Sequence, residues 1–366
     1  MSSLLSLRPD AVSSFVAAAP RARAERVADD KAMLKAAAEL TRDLNKPRPA
    51  IYWGDLVASV MVGYGALAAA MLIRPVGWAL VAGMIAVLAL YRAGSFIHEI
   101  SHVKLAALPG FRGGWNALVG IPLMVPSFMY EGVHNLHHAK TRYGTVEDPE
   151  YLPLALMKPW TVPVFVLVAA LAPIGLLIRY AVLTPVSFAV PGLRRFVVER
   201  LSALAINPQF RRRAPEGDAK AEWTRVELAT SAWAITMLTA VATDTVPLRA
   251  FLIFLGVVSA VTVINQVRTL VAHLWENEGE AMSVTAQYLD SVNVPPPTLL
   301  PALWAPVGLR YHALHHLLPG LPYHNLGEAH RRISAVVDTH SPYHKASYDG
   351  LPGLLGRLVR STLASR

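Results

Sequence analysis

The 366-residue chain carries 34 Lys and Arg against 25 Asp and Glu, a formal net charge of +9, yet 54% of it is hydrophobic and only 16% charged, with a positive mean hydropathy. That is too apolar and too charge-poor for an ordinary soluble enzyme. With no cysteine there is no disulfide, thiolate metal site or Cys nucleophile, so a metal must be held by His or carboxylate; the basic residues flank apolar runs instead of forming one aromatic-rich patch, which excludes nucleic acid as partner.

Residues 1–50 are polar, lack the apolar core of a secretory signal, and predict an amphipathic cytosolic helix over Ala22–Leu44. Residues 51–335 form the expected membrane domain, followed by a cytosolic tail over 336–366. Nearly charge-free runs at Leu56–Ile73, Val76–Tyr91, Trp160–Ile178, Leu228–Thr243 and Ala250–Val267 approach the roughly 17 to 25 residues that span a bilayer. Lys and Arg cluster in 1–50, 92–158, 179–225 and after 310, so the positive-inside rule places these segments in the cytoplasm and the turns at Arg74 and Asp244–Arg249 outside.

That parity leaves Trp160–Ala189 unable to cross. Its prolines 159, 163, 173 and 185 predict a re-entrant or interfacial segment, and Trp115–Tyr130 is expected to lie in the interface. The expected fold is therefore all-α and integral to the cell membrane: four transmembrane helices in two hairpins, both termini cytoplasmic, with a cytosolic helical cap.

Eight of the 13 histidines fall in three boxes, His98-Glu-Ile-Ser-His102, His134-Asn-Leu-His137-His138 and His312-Ala-Leu-His315-His316. Spacings of three and four put imidazoles on one helical face, where they converge on a metal. Eight imidazoles exceed what one ion binds, so two metals are expected. Neutral imidazole suits Fe, Zn, Cu and Ni alike, which leaves a zinc hydrolase with Glu99 as base open. A membrane metal transporter or sensor is a further alternative, although transport ligands are expected at the bilayer midplane and these boxes fall in cytosolic segments.

The ordered trio HxxxH, HxxHH, HxxHH between hairpins resembles the membrane fatty acid desaturase and hydroxylase family. The stretches Trp-Asn-Ala-Leu-Val-Gly-Ile-Pro after box one, Asp148-Pro-Glu-Tyr151 after box two and Leu318-Pro-Gly-Leu-Pro-Tyr-His-Asn325 after box three are similar to its bacterial acyl-chain members. The resemblance implies two irons held by the box histidines and by one further histidine, His273 by position, with O2 as co-substrate. In animal stearoyl-CoA desaturases an asparagine four residues before that histidine reaches a metal through water. Thr269 stands there in this chain, with Asn265 one turn further back.

Glu99, Asn135, Glu147, Asp148, Tyr323 and His324 are polar groups beside the boxes, placed to fix imidazole tautomers or to order box three. The resemblance favours desaturation of a fatty acyl lipid, acyl-CoA or acyl-carrier substrate, with a hydroxylase or ketolase of the same family as the rival. The chain has no haem-attachment CxxCH, flavin GxGxxG or cysteine, so electrons are expected from a separate ferredoxin, cytochrome or reductase, docked on basic loops such as Arg211–Arg213 or with those loops holding membrane lipids.

Overall fold

The structure, a computed structural model, describes residues 27–298 and 300–364. The described residues are helical, without a strand. The helices in chain order are α1 (Lys31–Leu40), α2 (Pro49–Leu72), α3 (Val76–His102), α4 (Phe111–Trp115), α5 (His134–His137), α6 (Thr161–Ile178), α7 (Thr184–Ala189), α8 (Pro191–Leu201), α9 (Gly217–Ala242), α10 (Leu248–Leu270), α11 (Val284–Asp290), α12 (Pro301–Trp304), α13 (His312–Leu317), α14 (Leu326–Val336) and α15 (Leu351–Ala364).

Four helical stretches are long and apolar enough to cross a membrane: α2, α3, the 29 residues from Thr161 to Ala189, and α10. Large apolar side chains such as Met61, Trp78, Met84, Leu171 and Leu252 face outward from them, as lipid-facing surfaces do. The hairpin of α2 and α3 is tightly packed, and Gly63 allows it: a Cβ there would come within 2.8 Å of Leu90 Cγ.

The third member of this set differs from the expectation. Residues 161–189 run as one almost continuous helix: Pro163 sits in its first turn, Pro173 is accommodated in its interior, and a π turn at Arg179–Leu183 precedes Pro185. Conversely, α9 carries Asp218, Lys220, Glu222, Arg225 and Glu227 in its first half, which leaves only Leu228–Ala242 apolar. The course of α6 to α8 nevertheless starts and ends on one side. Ala155 N donates to Trp275 O before it, while after it Leu204 N donates to Met129 O and Ile206 N to Pro149 O. The return leg α8 has 11 residues, about 16 Å of helix, half a hydrocarbon core. The helix α10, joined to α9 by a short turn, packs mainly on α6 and α3, so the second hairpin is splayed with α6 set into it.

The expected interfacial stretch 115–130 is instead packed inward, with Trp115 Nε1 donating to Ala93 O. The N-terminal helix is shorter than the expected Ala22–Leu44, whose first five residues lie outside the described ones. Asp30 caps α1 by accepting from Ala32 N and Met33 N, and α1 docks on α14 through Met33 and Ala37 and the Arg332–Asp43 ion pair. Residues 336–364, expected as a tail, return to the core: Tyr288 Oη donates to Tyr343 O, and Leu354 and Leu358 of α15 are buried beside Val271 and Leu270.

Candidate metal centre

Helix ends converge on one point. His98 and His102 close α3, His134 and His137 form α5 with His138 as its C-cap, His312, His315 and His316 lie on α13, and His273 follows α10, where an antiparallel bridge to Ser291 fixes it. The nine imidazoles form two groups: His98, His102, His134, His138 and His315, and His137, His273, His312 and His316. Within each group, the potential ligand atoms all lie within 4.8 Å of one another.

The geometry fits two cations. His134 and His138 bring their Nε2 atoms to 3.0 Å, as do His273 and His312; His315 Nε2 is 3.1 Å from both His102 and His138, and His316 Nε2 is 3.2 Å from His312. Metal–imidazole bonds of about 2.0–2.1 Å place neighbouring octahedral ligands about 3.0 Å apart. His134 gives its Nδ1–H to Glu150 Oε1 at 2.9 Å, and His137 gives its Nδ1–H to Asp148 at 2.9 Å. His273 Nδ1 is 2.8 Å from the hydroxyl of Tyr143, which donates onward to Asp290 at 2.7 Å. With Nδ1 protonated on these partners, the Nε2 lone pairs point inward at one another, an arrangement that a cation between them stabilises. His98 is buried with neither ring nitrogen hydrogen-bonded, and a coordinated metal would satisfy it.

Electrostatics agree. Burial, reinforced by the neighbouring imidazoles, holds His134, His138, His273, His312, His315 and His316 well below the ordinary histidine range, which favours the neutral form that a metal requires. Burial also acts to lower His137, but the Asp148 carboxylate outweighs it and the net shift is upward. Glu150 is pushed up to about 7 and Asp290 up to about 6, both chiefly by burial.

The other expected residues are placed differently. Asp148 accepts from His137 and also from Gly144 N and Glu150 N, closing the turn that follows box two. That turn needs Gly144, with a φ of 71° and the Asn277 amide 2.7 Å from where a Cβ would stand. Glu99 accepts from Tyr52 Oη and from Tyr323 N on one oxygen, which ties α3 to the loop after box three, while its other oxygen stays 3.9 Å from His98 Nδ1. Tyr323 also donates through its hydroxyl to Asp55.

Asn135 does not fix an imidazole: it faces solvent on the outer side of α5. His324 does not either, because its Nε2 accepts from Arg48 N. Thr269 spends its hydroxyl on Asn265 O, and both residues lie on the cavity-lining face of α10. Glu150, Tyr130, Tyr143 and Asp290, which hold the imidazoles, escaped the sequence reading. Glu150 lies within the Asp148–Tyr151 stretch already singled out, whereas Asp290 follows His273 by 17 residues with no local signal.

A cavity of about 540 Å³ opens onto this centre. His98, His137, His273 and His312 form its polar end. Val168, Ala172 and Leu176 of α6 and Val258 and Val261 of α10 continue it as an apolar channel. Its largely apolar lining suits an alkyl chain, and its volume lies within the usual size range of ligand pockets.

The fatty acid desaturase family model matches residues 75–348, which include all nine histidines. The chain belongs to the fatty acid desaturase family. It is also 49% identical over 335 residues, 92% of this chain and 95% of the relative, to a protein of Caulobacter vibrioides (strain NA1000 / CB15N) named ceramide hydroxylase. The chain is thus a lipid-acting oxidoreductase of a di-iron enzyme class.

Proposed function

We propose that the protein hydroxylates a carbon of a ceramide-type lipid, using O2, two irons and electrons from a separate donor protein. The observation that carries this is the 49% identity, over nearly the full length of both chains, to a relative named ceramide hydroxylase. It turns the balance away from desaturation, which the resemblance around the boxes favours, toward hydroxylation.

Bound at the two imidazole groups, iron would supply the O2-derived oxidant that an unactivated C–H bond demands and that no side chain provides. In the balanced reaction, one oxygen atom of O2 enters the C–H bond and the other leaves as water, with two electrons and two protons drawn from the donor and solvent. The chain's own contribution is position and dryness. Asp148, Glu150 and Tyr143 hold the imidazoles in one tautomer, and the apolar channel between α6 and α10 seats the alkyl chain and keeps water from it. The metal-site side, where both ends of the described chain lie, is read as cytoplasmic in the cell membrane.

The test is expression in a host that contains ceramide, beside a His137→Ala control, with lipids analysed by mass spectrometry. A species one oxygen heavier that is absent from the control supports hydroxylation. A species lighter by two hydrogens, carrying a new alkene, would move the assignment to desaturation.

A further inference from the structure

Arg268 lies beside the metal centre without touching the groups that hold its imidazoles. It sits on α10 five residues before His273, is buried to 8% exposure, and lines the same cavity as His98, His273 and His312. Its guanidinium meets the hydroxyl of Tyr91, which itself donates to Trp304 O, but its Nε–H is buried without a hydrogen-bond partner and it forms no ion pair among the described residues. Glu150 is the one acid in the cavity wall, and its two oxygens are taken by His134 and Tyr130. By contrast Arg179, also in the wall, is neutralised by Glu227.

A buried guanidinium with an unpaired N–H and no ion pair is costly, and it persists where a ligand supplies the missing oxygen. The cavity-facing side of α10 changes character in step: Val258 and Val261 are apolar, and one to two turns on, toward the histidines, come Asn265 and Arg268. An amphipathic lipid fits this gradient in one direction, with its alkyl chain along the valines and its oxygen-bearing end beside Arg268.

We propose that Arg268 binds the acyl carbonyl of the lipid, so that the carbons presented to the metal centre are those within a few bonds of that carbonyl and not mid-chain methylenes. This rests on the reading of the chain as a lipid oxygenase and adds to it the position of attack. Arg268 is a binding residue here: its planar fork of N–H donors suits a carbonyl, or a carboxylate if the substrate is the free acid. Loss of it should weaken substrate binding and blur regiochemistry without touching the metals.

The experiment compares the iron-loaded full-length enzyme with Arg268→Gln and Arg268→Lys, using a ceramide, the free fatty acid of the same chain and, as a competitive inhibitor, the alkane of that length. Expected are an iron content equal to wild type, a KM for the carbonyl-bearing substrate at least tenfold higher in Arg268→Gln with a smaller change in kcat, partial recovery in Arg268→Lys, and products spread over more positions. The alkane should inhibit all three proteins equally. A KM effect confined to ceramide identifies the amide as the bound group; one confined to the free acid identifies the carboxylate. An unchanged KM and product position would overturn the proposal, as would loss of iron from Arg268→Gln, which would make the residue a support of the metal site. A wild-type alkene product would overturn the hydroxylase reading and leave the KM comparison standing.

Discussion

Asp148→Asn isolates what one carboxylate does for the metal centre. Asp148 is fully buried and accepts from three donors: the His137 Nδ1–H, shared between Oδ1 at 3.0 Å and Oδ2 at 2.9 Å, Glu150 N on Oδ1 at 2.8 Å and Gly144 N on Oδ2 at 2.8 Å. Asparagine keeps the shape, removes the charge and turns one acceptor into a donor, so whichever oxygen is lost leaves a backbone N–H facing an amide N–H. A hydrogen bond to a charged group contributes about 1.5–3 kcal/mol, and losing the partner of a ligating imidazole typically costs about 10–100-fold in metal affinity. Because Asp148 touches His137 directly and reaches the first group only at second hand, through Glu150 N, the main loss should fall on the site of His137, His273, His312 and His316. Chelator competition that resolves two iron affinities measures this: one should weaken by about 10–100-fold, or about 1.4–2.7 kcal/mol, and the other should hold. Two unchanged affinities, or equal losses at both, would refute the division of labour drawn here.

Three further outcomes follow from the same contacts. Gly175 lines the channel on α6 and a Cβ there meets nothing within 4 Å, so Gly175→Leu should fold with about 0.5–1 kcal/mol more helix stability while shifting turnover toward shorter chains in a competition between lipids of graded length. Glu227 is buried between Arg179 and Arg194, with ion-pair distances of 2.8 and 2.7 Å, so Glu227→Ala strands a buried guanidinium and should destabilise the detergent-solubilised protein by about 3–5 kcal/mol in denaturant unfolding; a loss below about 1 kcal/mol would contradict the burial argument. Hydrogen bonds from Arg331 and Arg332 push Glu328 down to about 2, which is a depressed carboxylate: its contribution to docking α1 on α14 is complete above its unfolded value of 4.5 and disappears as pH falls from there toward 2. Hydrogen exchange in α1 should therefore be flat from pH 8 to 5 once corrected for intrinsic rates, and protection lost between 5 and 7 would be evidence against it.

The histidines were legible because their spacing is local. A helix turns i, i+3 and i+4 into one face, so three short boxes mark candidate ligands before any packing is known. What holds those ligands was less legible, because it comes from elsewhere in the chain: Asp290 reaches His273 only through Tyr143, which is 147 residues away from Asp290. Asn135 and His324 misled for the converse reason. Adjacency to a box says nothing about which way a side chain points, and on the four-residue helix α5 the position after His134 turns outward. Arg268 was invisible since an arginine near a helix end reads as a membrane-surface anchor until the cavity beside it is seen.

Parity and apolarity gave conflicting answers for residues 160–189, and the structure shows how both arise. The stretch is a long helix with exposed apolar side chains such as Leu167 and Leu171 on one side and the cavity on the other, where Val168, Ala172 and Leu176 line the wall, so both faces call for apolar residues. It nevertheless belongs to a loop with both feet beside box two, since α8 is too short to complete a second crossing and Leu204 and Ile206 are pinned to Met129 and Pro149. Spanning length and spanning course are therefore separable. A helix that borders a lipid-binding channel must be as hydrophobic as one that crosses the bilayer, because in both cases its neighbours are hydrocarbon. The same placement would serve both requirements of the proposed reaction: an alkyl chain would reach the site from within the apolar layer along α6 and α10, while His98, His102 and His273 sit at helix ends, open to an electron donor on the polar side.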